Sequence, residues 1–172
     1  MEIGIIKYPL IAGRKEDNDR SEMVTQHLFG ESYEIIETKP NWIKIKNLRD
    51  GYVSWIDRKH HSAWDGKYPG KHILSRPFNH FTHLDKMVLL PGGSIVRTEL
   101  LERIEGPYSQ KSFADIKRIS EIYIGAPYLW GGKSIWGIDC SGFTQLVYQT
   151  CGINILRDAA QQAEMGDTVE FN

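Results

Sequence analysis

The stretch from Ala126 to Phe143 constrains this chain more than any other. Pro127, Trp130, Gly131, Gly132, Trp136 and Gly137 crowd the approach to Cys140. After it, Phe143, Leu146 and Val147 fall at i, i+3 and i+4, which predicts a helix with one apolar face. Cys140 is therefore expected in the first turn of a helix entered from a tight glycine loop. Unpaired N–H groups and the positive end of the helix dipole gather at such a position and favour a thiolate, the attacking form of a cysteine nucleophile. A free cysteine is more often a small buried hydrophobe. Cys151 fits that description, late in the apolar helix and just before the stop signal Gly152. Cys140 does not, because Asp139, Ser141 and Gly142 surround it at a loop-to-helix junction.

Composition adds limits rather than direction. Hydrophobic content of 41% and charged content of 25% are ordinary for a soluble globular protein. A net charge of −1 gives no electrostatic case for nucleic acid or an anionic membrane as partner. The two cysteines sit at opposite ends of one predicted helix, too far apart for a disulfide. The N-terminus has an early acid, Glu2, and no long apolar core, so it does not read as a signal peptide. No apolar run approaches transmembrane length. A cytoplasmic location is the expectation.

Upstream, the pattern predicts short strands separated by turns, hence a small β-barrel over residues 1–58. Ile3, Ile5 and Ile6 begin the first strand, and a polar loop runs from Gly13 through Ser21. Tyr33 to Glu37 alternates moderately. Trp42 to Lys46 alternates clearly, with Trp42 off the lysine face only if a bulge intervenes. Asp50-Gly51 is a hairpin signal, and Tyr52 to Ile56 is the returning strand. Residues 57–80 read as a break or linker. Lys86 to Val96 reads as two strands around the Pro91-Gly92-Gly93 turn, giving a possible second, degenerate SH3-like unit within 59–111. The clustered histidines raise the question of a metal. Adjacent histidines point to opposite faces of a strand, and no cysteine or acid joins them at ligand spacing, so no metal or cofactor is expected. From residue 112 the period becomes helical: Phe113, Ile116, Ile119 and Tyr123 mark one face, with Ser112 as N-cap and Gly125 and Pro127 as stops. Gly166 to Phe171 looks like the approach to a strand.

Tyr128-x-Trp130-Gly131-Gly132, followed by Asp139-Cys140-Ser141-Gly142-Phe143, resembles the nucleophile region of NlpC/P60 cysteine peptidases, papain-like hydrolases of bacterial cell-wall peptides. Arg20 to Gln26 with Phe29-Gly30-Glu31, then Gly51-Tyr52-Val53-Ser54-Trp55, resembles a bacterial SH3 (SH3b) domain. That pairing is similar to γ-D-glutamyl-L-diamino acid endopeptidases. The implied fold is α+β, an SH3b barrel followed by an NlpC/P60 domain over residues 112–172.

The resemblance implies roles residue by residue. Cys140 attacks the carbonyl of a γ-D-glutamyl bond, with its own N–H and the Tyr128 hydroxyl as oxyanion donors, although Tyr128 also reads as a buried structural tyrosine. Glu22 and Tyr52 wall the amine end of the substrate, and Trp130 lines the same pocket. Asp139 and Ser141 hold the amine, or else simply cap the helix. Arg157 and Asp158 complete the substrate contacts. A Glu22–Asp139 carboxylate pair would select a free N-terminal ammonium and so favour released murein stem peptides over intact wall. In the family a histidine base follows the cysteine helix, whereas here the last histidine is His83. Either the chain is a fragment of a longer enzyme or it is a non-catalytic relative. The stop at Asn172 favours a fragment that ends after the helical half of the domain. The rival to an enzyme is a peptide- or wall-binding SH3b module.

Overall fold

The computed structural model of the chain describes residues 2–64, 66, 70–83, 85–104 and 113–170. Strands β1 (Ile3–Ile5), β2 (Leu10–Arg14), β3 (Met23–Leu28), β4 (Ser32–Thr38), β5 (Trp42–Asn47) and β6 (Val53–Asp57) form one antiparallel sheet in the order β1-β4-β5-β6-β2-β3. The sheet wraps Ile6, Ile11, Tyr33, Ile43, Ile45 and Ile56 into one core. In β5 the period-2 alternation sends Ile43 and Ile45 inward and leaves Lys46 exposed. Trp42 shares the lysine face with no bulge in its own strand. The bulge lies opposite, in β4, where the register slips between Ile35 and Glu37 and leaves Ile36 half exposed. The polar loop starts at Lys15 rather than Gly13, because Gly13 and Arg14 still pair with Thr25 and Met23. The sheet's β1 edge is closed by later chain: the Ile5 amide donates to the Ser62 carbonyl and the Trp64 amide to that of Ile3.

The expected linker is not structureless. Arg58–His60 forms a short 3-10 turn, and β7 (His72–Ile73) and β8 (Phe78–His83) follow. Strand β9 (Lys86–Pro91) pairs with β8, from Phe78 opposite Pro91 to His83 opposite Lys86. Strand β10 (Ile95–Val96) pairs with β7. The two strands flanking Pro91-Gly92-Gly93 are therefore real but do not pair with each other. Burial explains the choice: this arrangement brings Leu74, Phe81, Leu90, Val96 and Ile104 into a core of their own. A short helix, α1 (Thr98–Leu101), closes the unit. Among the described residues no three His, Cys, Asp or Glu side chains group as they would to hold a metal ion. His61 Nδ1 meets the Tyr33 hydroxyl at 2.9 Å, His60 lies edge-on to Tyr8, and His72 Nε2 meets Thr98 Oγ1.

The helical part begins with a 3-10 turn at Phe113–Asp115 that leads into α2 (Ile116–Ile122). Ser112, expected to cap it, lies outside the described residues. A small hairpin of β11 (Lys133–Ser134) and β12 (Gly137–Ile138) precedes α3 (Cys140–Thr150), and α4 (Ala159–Ala163) follows. Helices α2 and α3 bury Ile119, Tyr123, Leu146, Val147 and Cys151 together with Leu28 at the end of β3. The barrel thus contributes directly to the helical core. Residues 166–170 are exposed and form no strand. Among the described residues no helix is long and apolar enough to cross a membrane.

Candidate active site

Cys140 is the first residue of α3 and is exposed. The preceding residue, Asp139, caps the helix: its backbone is extended and its Oδ1 accepts the Gly142 amide at 2.6 Å. Gly142 has no room for a side chain, since a β-carbon there would lie 2.2 Å from the Gly132 carbonyl oxygen. Gly131, at φ +75°, holds the left-handed turn of the loop, and a β-carbon on it would meet the Met23 carbonyl oxygen at 2.3 Å. The glycines before and after Cys140 therefore serve close backbone approach: one lets the loop lie on β3, the other lets it lie on α3. Cys151, by contrast, is buried, and burial with the nearby Asp115 charge pushes its thiol up.

Asp139 is 7% exposed and its two oxygens are heavily used. Arg157 Nη1 and Nη2 donate to Oδ1 and Oδ2 at 3.1 and 2.8 Å, the Gly131 amide donates to Oδ2 at 2.8 Å, and the Ser141 hydroxyl donates to Oδ1 at 3.3 Å. Burial alone would push this carboxyl up. Hydrogen bonds from Arg157 and the Gly142 amide outweigh it and hold it below the usual carboxylate range. The sequence offered Asp139 two roles, amine holder or helix cap, and the cap is present. It is a capped, charge-balanced hub. Arg157, expected among the substrate contacts, lines the cleft but is 1% exposed, with Nη1 also on Ser141 Oγ at 2.8 Å.

The barrel forms the opposite wall. Trp130 Nε1 donates to Glu22 Oε1 at 2.7 Å, and Lys15 reaches the other oxygen at 3.4 Å. The Tyr52 hydroxyl donates to Asp158 Oδ1 at 3.1 Å. Burial and the Asp158 carboxylate raise that phenol well above its ordinary range. Glu22, Tyr52, Trp130, Asp139, Cys140, Ser141, Arg157 and Asp158 all line one cleft of ≈ 480 Å³. Tyr128 is outside that lining and 68% exposed, so it is not a buried structural tyrosine. Among the described residues no histidine lines the cleft.

Residues 125–172 match the NlpC/P60 family, and residues 13–60 match the bacterial dipeptidyl-peptidase Sh3 domain. This chain carries an NlpC/P60 segment behind a bacterial SH3 domain. It is similar to the gamma-D-glutamyl-L-lysine dipeptidyl-peptidase of Bacillus cereus (strain ATCC 10987 / NRS 248), at 25% identity over 87% of this chain and 57% of that protein. The protein of the same name in Bacillus subtilis (strain 168) is 27% identical over 86% of this chain and 60% of its own length. The chain thus spans little more than half the length of these relatives. Its fold is that of a solved NlpC/P60 family protein from Bacillus cereus ATCC 10987, with a TM-score of 0.73 at 16% identity over 98% of this chain and 78% of the other.

What joins the SH3 barrel to the NlpC/P60 segment was not legible beforehand. Glu31 and Lys133 are each 1% exposed, and Lys133 Nζ donates to Glu31 Oε1 at 3.0 Å. Gln149 Nε2 from α3 donates to the same oxygen at 3.1 Å. Oε2 takes Asn47 Nδ2 at 2.9 Å and the Leu28 amide at 3.1 Å. Burial works against this charge. Lys133, the hydrogen bond with His27 and the more distant Arg49 outweigh it and hold the carboxyl well below its ordinary range. The Lys133 amide also donates to Gln26 Oε1 at 2.8 Å, where β11 meets β3. In sequence Glu31 looks like a turn residue beside Gly30, and Lys133 like loop polarity after two glycines. Nothing in their spacing marks them as partners.

Proposed function

We propose that the chain serves a cysteine peptidase of cell-wall peptides. Its bond is the γ-D-glutamyl–diamino acid linkage of released stem peptides with a free N-terminal L-Ala, and its setting is cytoplasmic recycling. One observation carries this reading. The Trp130–Glu22 bond of 2.7 Å puts a barrel carboxylate into the cleft that holds Cys140. A cleft walled at one end by a carboxylate suits a peptide's ammonium end. An acylated amine would bring no charge to Glu22 and would need more room. The names of the two peptidase relatives supply the bond. With Asp139 balanced by Arg157, the ammonium falls to Glu22 and Asp158, with Tyr52 beside it.

In this reading Cys140 Sγ adds to the γ-glutamyl carbonyl, and the oxyanion takes the Cys140 amide, which has no partner inside the helix. Collapse expels the diamino acid amine, which takes up a proton, and leaves a thioester that water hydrolyses.

Calorimetry with L-Ala-γ-D-Glu-L-Lys and its N-acetyl form tests the amine pocket on the 172-residue chain. The free amine should bind more tightly by about 1–3 kcal/mol, the worth of one hydrogen-bonded charge. Glu22→Gln should remove most of the difference while leaving the unfolding transition unchanged. Equal binding of the two peptides rejects the recycling assignment. The absence of histidine from the cleft favours one second reading, a peptide-binding module without turnover. A Cys140-linked thioester trapped by mass spectrometry would exclude it.

A further inference from the structure

Resting on Cys140 as the attacking group, the geometry points to Arg157 as a positioning residue that transmits docking of the SH3 barrel to the nucleophile's turn. Arg157 is 1% exposed, and three of its four side-chain bonds end on the two residues that flank Cys140. Its Nη atoms hold Asp139 and Ser141, the two sequence neighbours of the cysteine, at 2.8–3.1 Å. Its Nε donates at 3.1 Å to Thr25 Oγ1 on β3, a barrel hydroxyl that is itself 2% exposed. One planar fork therefore ties the barrel to both flanks of the nucleophile. Asp139 carries the constraint onward, to the Gly142 amide in α3 and the Gly131 amide in the loop.

Two consequences follow from elementary electrostatics. The first is charge balance: a carboxylate next to Cys140 without its guanidinium would disfavour the thiolate by like charge. The second is shape. Four donations from one planar group to four oxygens on three residues suit a guanidinium, whereas an ammonium is a point charge on a flexible stem. The titratable and charged groups that line the cleft with Cys140 are Lys15, Glu22, Tyr52, Asp139, Arg157 and Asp158. Of these, only Arg157 touches both neighbours of the cysteine and the barrel.

The test is the pH profile of Cys140 alkylation by iodoacetamide, followed by mass spectrometry on the 172-residue chain, with thermal unfolding of every variant alongside. Arg157→Gln should move the profile up by about one pH unit, roughly a tenfold slower rate near neutrality. Adding Asp139→Asn to that variant removes the unbalanced charge and should move the profile back, a rescue that a purely structural arginine would not give. Thr25→Val removes the barrel acceptor, and with it the Thr25 hydroxyl's bond to the Gln26 carbonyl, but leaves the charges in place; it should slow alkylation about threefold, a fraction of the full charge effect. A folded Arg157→Gln chain with the parent profile overturns the inference. So does a double variant shifted as far as the single one. If Arg157→Gln does not fold, Thr25→Val decides alone, and an unchanged rate refutes the relay. Parent Cys140 reacting no faster than Cys151 would overturn the nucleophile assignment and this inference with it. A fast Cys140 indifferent to Arg157 and Thr25 overturns this inference only.

Discussion

Breaking the Glu31–Lys133 pair should destabilise the whole chain. Both side chains are 1% exposed, and the pair is 3.0 Å across between segments 102 residues apart. Lys133→Met leaves the Glu31 carboxylate buried with its neutral donors, Gln149, Asn47 and the Leu28 amide, but without its nearest cation. Removing one partner of a buried pair typically costs about 3–5 kcal/mol, because the survivor keeps its desolvation penalty. In a chain of this size that corresponds to a fall in Tm of about 6–20 °C. Glu31→Gln in the Lys133→Met background should recover much of the loss, since the orphaned charge is gone and the amide can still accept and donate. Urea unfolding of parent, both single variants and the double variant gives the coupling directly. A loss below about 1 kcal/mol for Lys133→Met would show that water reaches the pair. Additive single losses would refute the coupling itself.

Three further outcomes follow. Below about pH 5, stability should fall: the folded Asp139 and Glu31 carboxyls titrate below their unfolded values of about 3.9 and 4.3, so the unfolded chain binds more protons in that window. Urea midpoints between pH 5 and pH 3 should drop, and less steeply in Asp139→Asn. Gly131→Ala should cost about 1–3 kcal/mol, since φ +75° and the Met23 carbonyl oxygen both exclude a β-carbon, and thermal unfolding would show it. The 172-residue chain should bind L-Ala-γ-D-Glu-L-Lys without repeated turnover, because among the described residues no histidine lines the cleft. Cys140-dependent release of several equivalents of lysine per chain, by chromatographic assay, would contradict that.

Sequence and structure agree where the signal is local. Asp50-Gly51, the alternation of Ile43 and Ile45, and the helical spacing of Ile119, Tyr123, Leu146 and Val147 are each set by residues within one turn or one strand. The glycine loop announced a helix beginning at Cys140, and a helix begins there. The expectations that failed depended on distant partners. Pro91-Gly92-Gly93 looks like a hairpin turn, yet β9 finds β8 and β10 finds β7, because Leu74 and Phe81 supply the apolar surface those strands need. Asp139 carries an N-cap signal and an amine-binding signal in the same letter. Only the position of Arg157, 18 residues on, separates an open carboxylate from a neutralised one.

The seam between barrel and cysteine loop shows why the two regions act as one site. Among the side-chain bonds that cross it, three flank the nucleophile: Trp130 to Glu22 at 2.7 Å, Lys133 to Glu31 at 3.0 Å and Arg157 to Thr25 at 3.1 Å. Two leave the loop before Cys140 and one arrives from beyond α3. An apolar seam of equal area would tolerate sliding, since dispersion and hydrophobic burial are nearly indifferent to direction. Short polar bonds are not: a displacement of about 1 Å lengthens each of them past useful range. Their net gain over water is modest, and burying the charges is costly, so stability is a weak reason for their presence. Orientation is a stronger one. A barrel carboxylate can report on the end of a peptide only if its distance from the sulfur is fixed, and these three bonds fix it from both sides of the nucleophile.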